Sequence, residues 1–229
     1  MNTKSSSFSQ VFNAALPIML GYVAIGIPCG ILSDSIGLGP LEVFLLSVLF
    51  YSGAGQFMLS NMWLAGAPAL SIIASISLVN TRQMLYSAAF APACKGVRKR
   101  LAFLFAATVT DESYGVNVAK FSQGNWSVGK ACGVNLLSQS SWTLSNVVGV
   151  LVGNAIGIPL SIAAFAMTSI FICLMVTQKI TLPNVVAMIV AAVGVFACKL
   201  LNLSGPAILI GALLGVAAAL FCTWAQRRG

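Results

Sequence analysis

Residues 101–119 read LAFLFAATVTDESYGVNVA, an apolar run interrupted by Thr108, Thr110, Asp111, Glu112, Ser113 and Tyr114. Half of the chain's four acidic residues stand side by side in it. A charge at the bilayer centre costs at least ~2.5 kcal/mol even on the lenient insertion scale, so ionisable groups inside an apolar segment face a bundle interior or a water-filled cavity. They mark a solute or proton path. The stretch therefore reads as a membrane helix with a functional face.

The surrounding composition fixes the solvent. The 229 residues are 59% hydrophobic and 7% charged, with mean hydropathy +0.96. Soluble domains carry about 25% charged residues, and a chain this poor in charge cannot clothe a surface in water. The net charge of +8 is not a nucleic-acid footprint, because most Lys and Arg lie between or beyond the apolar segments. There they act as topology signals.

Eight apolar segments of roughly spanning length follow one another, at residues 13–33, 41–64, 67–92, 101–119, 131–155, 158–178, 184–201 and 206–225. Lipid-spanning backbone must satisfy its own hydrogen bonds, and no ten-residue alternation suggests a barrel, so every segment is expected to be helical. The expected class is an all-α polytopic membrane protein, a bundle of about seven to eight transmembrane helices. Short connections predict a single transmembrane domain over residues 1–229. The polar residues 1–10 and the length of the first apolar segment argue for a retained helix rather than a cleaved signal. Cysteines 29, 94, 132, 173, 198 and 222 show no C-x-x-C spacing and read as small buried hydrophobes. No metal and no cofactor are expected.

The basic cluster Lys95, Arg98, Lys99 and Arg100 places the loop after the third segment in the cytoplasm. Lys4, Lys120, Lys130, Arg227 and Arg228 cannot all join it if every segment crosses once. A re-entrant or broken segment would relieve the conflict. The second segment is the expected one, since it contains Tyr51-Ser52-Gly53-Ala54-Gly55-Gln56-Phe57. Each Gly costs a helix about 1 kcal/mol relative to Ala, and broken helices near the midplane of transporters expose backbone groups that bind substrate or ions. Gly53 and Gly55 could equally serve close helix packing.

Gly26-x-x-x-Gly30 with Gly37 and Pro40 echoes Gly149-x-x-x-Gly153 with Gly157 and Pro159, the kind of internal repeat on which many transporters are built. In the third segment, helical spacing puts Asn80, Gln83 and Ser87 on one side and Arg82 and Tyr86 on a neighbouring strip. Arg82 lies too deep for a snorkelling anchor. It either pairs with Asp111 or Glu112 or holds a substrate carboxylate with its planar fork.

Phe50 to Phe57, then Asn80-Thr81-Arg82-Gln83-Met84-Leu85-Tyr86-Ser87, then Arg100 and Thr110-Asp111-Glu112-Ser113-Tyr114 resemble, in order and spacing, the AzlC-type branched-chain amino acid permeases. The likeness is sharp over residues 17–120 and rests on hydropathy beyond. Gly55 stands where that family often has Ala and Gln83 where it often has His. With no histidine in the chain, no imidazole can relay protons.

What the resemblance implies is the large subunit of an exporter of valine, leucine, isoleucine or analogues in the bacterial inner membrane, paired with a small AzlD-type membrane subunit. Proton coupling is the expected drive. The residues supply a compatible chemistry. Arg82, Gln56, Asn80 and backbone N–H groups at Gly53 and Gly55 can meet a carboxylate; Asp111 or Glu112 can meet an ammonium. Consecutive helix positions diverge by about 100°, so one acid suffices to face the path. Asp111 is favoured as the coupling acid and Glu112 stands second. Alternatively both acids are structural partners of Arg82.

Small-residue faces at Gly26/Gly30 and Gly211/Gly215 are expected to receive the partner subunit, unless packing within the chain uses them. A passive channel and a non-transporting assembly subunit remain alternative readings. An intramembrane enzyme is disfavoured, since there is neither H-E-x-x-H nor a G-x-S-x-G elbow.

Overall fold

The computed structural model describes residues 7–156, 160–176, 180–201 and 207–226, and every regular element within them is an α-helix. In chain order these are α1 (Ser7–Asp34), α2 (Pro40–Leu49), α3 (Gly53–Leu64), α4 (Ala69–Ala89), α5 (Lys99–Ala107), α6 (Asp111–Ser122), α7 (Val128–Ile156), α8 (Leu160–Val176), α9 (Leu182–Leu200) and α10 (Ala207–Gln226). Each of the eight apolar segments is helical over most of its described residues. The second is broken, as its glycines predict, and the fourth is broken as well.

The surface is unlike that of a water-soluble protein, being rich in large apolar side chains, while several polar ones are buried. Gln56, Asn117, Asn135 and Asn146 are buried, while Leu49 is 81% exposed and Phe103 75%. Apolar groups outside and hydrogen-bonded polar groups inside are what a lipid exterior selects. By length and mean hydropathy alone, α1 and α9 qualify as membrane spans among the described residues.

The chain forms two compact units. One comprises Met1–Phe57 and Asn80–Ala166, the other Met58–Val79 and Met167–Gly229. In the first, α1 and α7 run parallel: Gly133 meets Val11, the Ser141 hydroxyl donates to the Met19 carbonyl at 2.9 Å, and Gly153 meets Ile31. A Cβ on Gly26 would sit 2.7 Å from that of Ser145. One on Gly30 would overlap the Asn146 carbonyl, and one on Gly149 the Ile27 carbonyl. The two echoing Gly-x-x-x-Gly stretches are thus opposite sides of a single helix contact.

In the second unit α9 and α10 run antiparallel, with Gly211 against Gly194 and Ala191, and Gly215 against Ala187. The expectation that Gly26/Gly30 and Gly211/Gly215 receive a partner is therefore corrected: α7 and α9 fill those faces. Between helices in lipid, where apolar burial gives no net drive, small residues permit the backbone approach that makes packing favourable. The remaining members of the echo, Gly157 and Pro159, lie outside the described residues.

The fourth segment also departs from expectation, because it does not cross. If residues 101–119 ran as one straight helix, Phe105 and Phe121 would lie ~24 Å apart. Instead both rings pack on Phe90, at 5.2 and 5.6 Å between centroids. The Asn135 side chain bonds the α5 carbonyl of Phe105 and Asn117 of α6. α5 and α6 are the arms of a helical hairpin, whose nine-residue first arm spans only ~13 Å, about half the hydrocarbon core. Against it packs the apolar cluster of Phe90, Phe105, Val109, Val128, Ala131 and Cys132. Gly124, at φ 83°, turns the chain from α6 towards α7.

This hairpin resolves the charge conflict for the first unit. Lys95, Arg98, Lys99 and Arg100 precede its first arm or open it, and Lys120 closes the second. Lys130 follows in the first turn of α7, where its ammonium donates to Gln10 of α1 at 2.8 Å. All six basic residues, with the start of α1, gather at one end of the unit. Asp34 and Glu42 stand at the other, beyond the full length of α1. The basic end is the cytoplasmic one by the positive-inside rule. Lys4, Arg227 and Arg228 lie outside the described residues.

Candidate functional site

α2 descends from the acidic end and stops at Phe50. A helix end leaves open carbonyls, and the next helix start leaves open N–H groups, which must be satisfied inside a membrane protein. Gln56 does much of this: its amide nitrogen donates to the Phe50 carbonyl at 2.9 Å, and its oxygen accepts from Trp142 Nε1 at 3.1 Å and the Ser47 hydroxyl at 3.4 Å. Gln139 donates to the Val48 carbonyl at 3.0 Å. The Ser52 hydroxyl accepts from the Gly55 N–H at 3.1 Å and donates to Asn80 Oδ1 at 2.7 Å. A Cβ on Gly53 would sit 3.2 Å from the Trp142 ring, and one on Gly55 2.7 Å from Phe50. The glycines let the broken backbone pack this closely.

The hairpin tip is the second break. Thr110 caps α6 through a reciprocal pair of bonds with Ser113, which leaves Asp111 and Glu112 in the first turn. Carboxylates there are favoured by the helix dipole. Asn135 donates to the Phe105 carbonyl and to the Thr108 hydroxyl, each at 3.3 Å, and accepts from Asn117 at 3.0 Å. Asn117 in turn accepts from Trp126 Nε1 at 3.1 Å. Asn135, Gln139 and Trp142 are spaced four and three apart, so a single face of α7 serves both breaks.

The breaks meet beside the middle of α1. The Tyr22 hydroxyl donates to Glu112 Oε2 at 2.7 Å and lies 2.9 Å from the Thr110 hydroxyl. Its one proton being committed to Glu112, Thr110 is the donor in the second contact. The Tyr22 ring packs edge-on against Trp142 at 5.3 Å and Tyr51 at 6.3 Å.

On the other side of the tip, Arg82 Nη2 stands 3.0 Å from Asp111 Oδ2, the one ion pair among the described residues. The two side chains keep 25% and 19% of their surface, so the pair is partly exposed. Arg82 Nε, Asp111 Oδ1 and the Tyr51 hydroxyl are buried without a hydrogen-bond partner. Tyr86 lies beside Asp111 and stacks on Tyr114 at 4.5 Å. The two strips of α4 do face the breaks: Asn80 and Gln83 reach Ser52 and the Tyr51 carbonyl, and the Ser87 hydroxyl reaches the Ala106 carbonyl at 2.7 Å.

All eight site residues expected from sequence thus lie in the first unit, in three settings. Arg82, Asp111 and Tyr86 form an open charged site. Gln56, Gly53, Gly55 and Asn80 build the first break. Glu112 is exposed and linked to Tyr22 rather than to Arg82. Sequence reasoning missed Tyr22, Asn135, Gln139 and Trp142. A signal for the last three existed, in the helical spacing of polar groups through an apolar segment.

A family model described as AzlC protein matches residues 17–156, from Pro17 within α1 to the end of α7, and so includes both breaks. The chain belongs to the AzlC family. The curated AzlC relatives include the "Inner membrane protein YgaZ" of Escherichia coli K12, 27% identical over 155 residues, which are 66% of this chain and 63% of that protein. The matched part thus spans less than two thirds of the YgaZ length. An "Uncharacterized membrane protein" of Archaeoglobus fulgidus is 28% identical over 221 residues, 93% of this chain and 94% of its own. The "Branched-chain amino acid transport protein AzlC" of Bacillus subtilis is 24% identical over 182 residues, 78% and 71% of the two chains. No solved structure matches. With its apolar surface, this AzlC-family chain is a multi-pass α-helical protein of the inner membrane.

Proposed function

We propose that this chain is the large subunit of a secondary transporter for branched-chain amino acids, exporting them in exchange for protons together with a small AzlD-type membrane subunit. The observation that carries the reading is the Arg82–Asp111 pair, which is ionic, partly open and unsaturated on both sides. A zwitterion can enter it without stranding a charge. Its carboxylate takes the Arg82 fork, its ammonium takes Asp111, and each ion keeps a counter-ion in a setting where an unpaired one is costly. The Bacillus subtilis relative's name supplies the substrate class.

The same pair offers a route to proton exchange. A protonated Asp111 no longer holds Arg82, so occupancy by proton and by zwitterion are linked through one carboxyl group. The pair joins α4 to the hairpin arm α6, and its exchange moves the tip relative to α4.

Uptake of labelled valine, leucine and isoleucine into inside-out vesicles under an imposed proton gradient tests this, with the chain alone and with the AzlD-type subunit. Gradient-dependent accumulation that requires both chains is the expected result. Equilibration without accumulation points to the passive channel, and no movement of any of the three removes the substrate class.

A further inference from the structure

A cavity of about 530 Å³ lies between α1 and α6, on the basic side of the hairpin tip, and neither Arg82 nor Asp111 lines it. Its walls include Asn13 and Pro17 of α1, Val116, Ala119 and Lys120 of α6, and Trp126 beyond α6. Ligand pockets run from about 300 to 1,000 Å³, so the volume suits a small solute.

The chemistry of the lining is selective. Asn13, a wall residue, carries a side-chain amide whose oxygen is an acceptor suited to an ammonium. The Lys120 ammonium, 5.8 Å from the Trp126 ring centroid, is a cation for a carboxylate. Val116 and Ala119 offer an apolar wall. Tyr22 lies five positions beyond Pro17 in α1, and Glu112 four positions before Val116 in α6, so ~6–8 Å of helix leads from the cavity to the Tyr22–Glu112 bond.

We infer that this cavity is a loading site at the basic end, where a zwitterionic amino acid with an apolar side chain binds before it reaches the hairpin tip. The inference rests on the transport reading above, and its test separates the two. In inside-out vesicles carrying the full chain with its small subunit, Lys120→Gln should raise the leucine KM about fivefold at unchanged maximal rate, and Lys120→Arg should restore it. Ala119→Trp, which fills the cavity, should cut labelled leucine uptake at least tenfold.

A second measurement needs no transport. In Val116→Cys, a membrane-impermeant maleimide added at the basic face should alkylate that residue, read by peptide mass spectrometry, and leucine should slow the reaction at least threefold. Unprotected alkylation, or wild-type uptake in Ala119→Trp, overturns the loading site. Wild-type uptake in Arg82→Lys with leucine-protected Val116→Cys would instead remove the hairpin-tip site and leave this one standing.

Discussion

Asp111 holds Arg82 at 3.0 Å while its other carboxylate oxygen, buried, has no hydrogen-bond partner. An acid placed only to neutralise an arginine would be expected to use both oxygens, because a buried acceptor without a partner costs about 1–3 kcal/mol. Asp111→Asn keeps the shape and one acceptor yet cannot take up or release a proton. We expect Asp111→Asn to insert at wild-type levels and to lose accumulation against a gradient. Vesicle uptake with and without an imposed proton gradient measures this, and retained accumulation would show that Asp111 is not the coupling acid.

Arg82 poses the complementary case. Its Nη2 is engaged by Asp111 at 3.0 Å, and its Nε is buried without a hydrogen-bond partner. Lysine keeps the charge and loses the fork. Arg82→Lys should lower the maximal rate at least tenfold with normal expression. Wild-type kinetics would reduce the requirement to a generic positive charge.

The charged pair was legible from sequence because an arginine and two acids in apolar segments violate the composition rule that lipid imposes. The first break was legible because Gly53 and Gly55 weaken a helix locally. The hairpin was not, since residues 101–119 have the length and hydropathy of a crossing. The placement of Phe105 and Phe121 on the same Phe90 ring, and the Asn135 side chain that bonds both arms, distinguish a return from a traverse. The charge conflict among Lys95, Lys120 and Lys130 pointed to a re-entrant segment without saying which. Tyr22 was hidden as well, because a lone hydroxyl in an apolar run reads as packing until its partner, 90 residues away, is known.

Asn135 provides a test of the claim that α7 repairs the breaks. Its side chain satisfies the Phe105 carbonyl, the Thr108 hydroxyl and Asn117 together. Asn135→Leu leaves those groups buried without that partner, at about 1–3 kcal/mol for each one left unpaired. A melt in detergent should show Asn135→Leu several degrees below wild type. Asn135→Asp, which keeps an acceptor for Asn117, should fall between them. Equal melting of Asn135→Leu and wild type would mean that water or backbone rearrangement closes the break without α7.

The contact between α1 and α7 permits a comparison within one helix. At Gly21 a Cβ would meet nothing within 4 Å, whereas at Gly30 it would collide with the Asn146 carbonyl and come within 3.0 Å of the Gly149 Cα. Backbone cannot step aside as a flexible side chain can, so Gly30→Ala must separate the two helices. Both Tyr22 and Trp142 sit on that contact, so separation also loosens the tip through the Tyr22–Glu112 bond. Gly21→Ala should be neutral or raise the melting temperature slightly, since Ala favours helix over Gly by about 1 kcal/mol. Gly30→Ala should lower the yield of monodisperse protein on size-exclusion chromatography and reduce transport. If the two variants behaved alike, the glycine pair would not be setting the distance between α1 and α7.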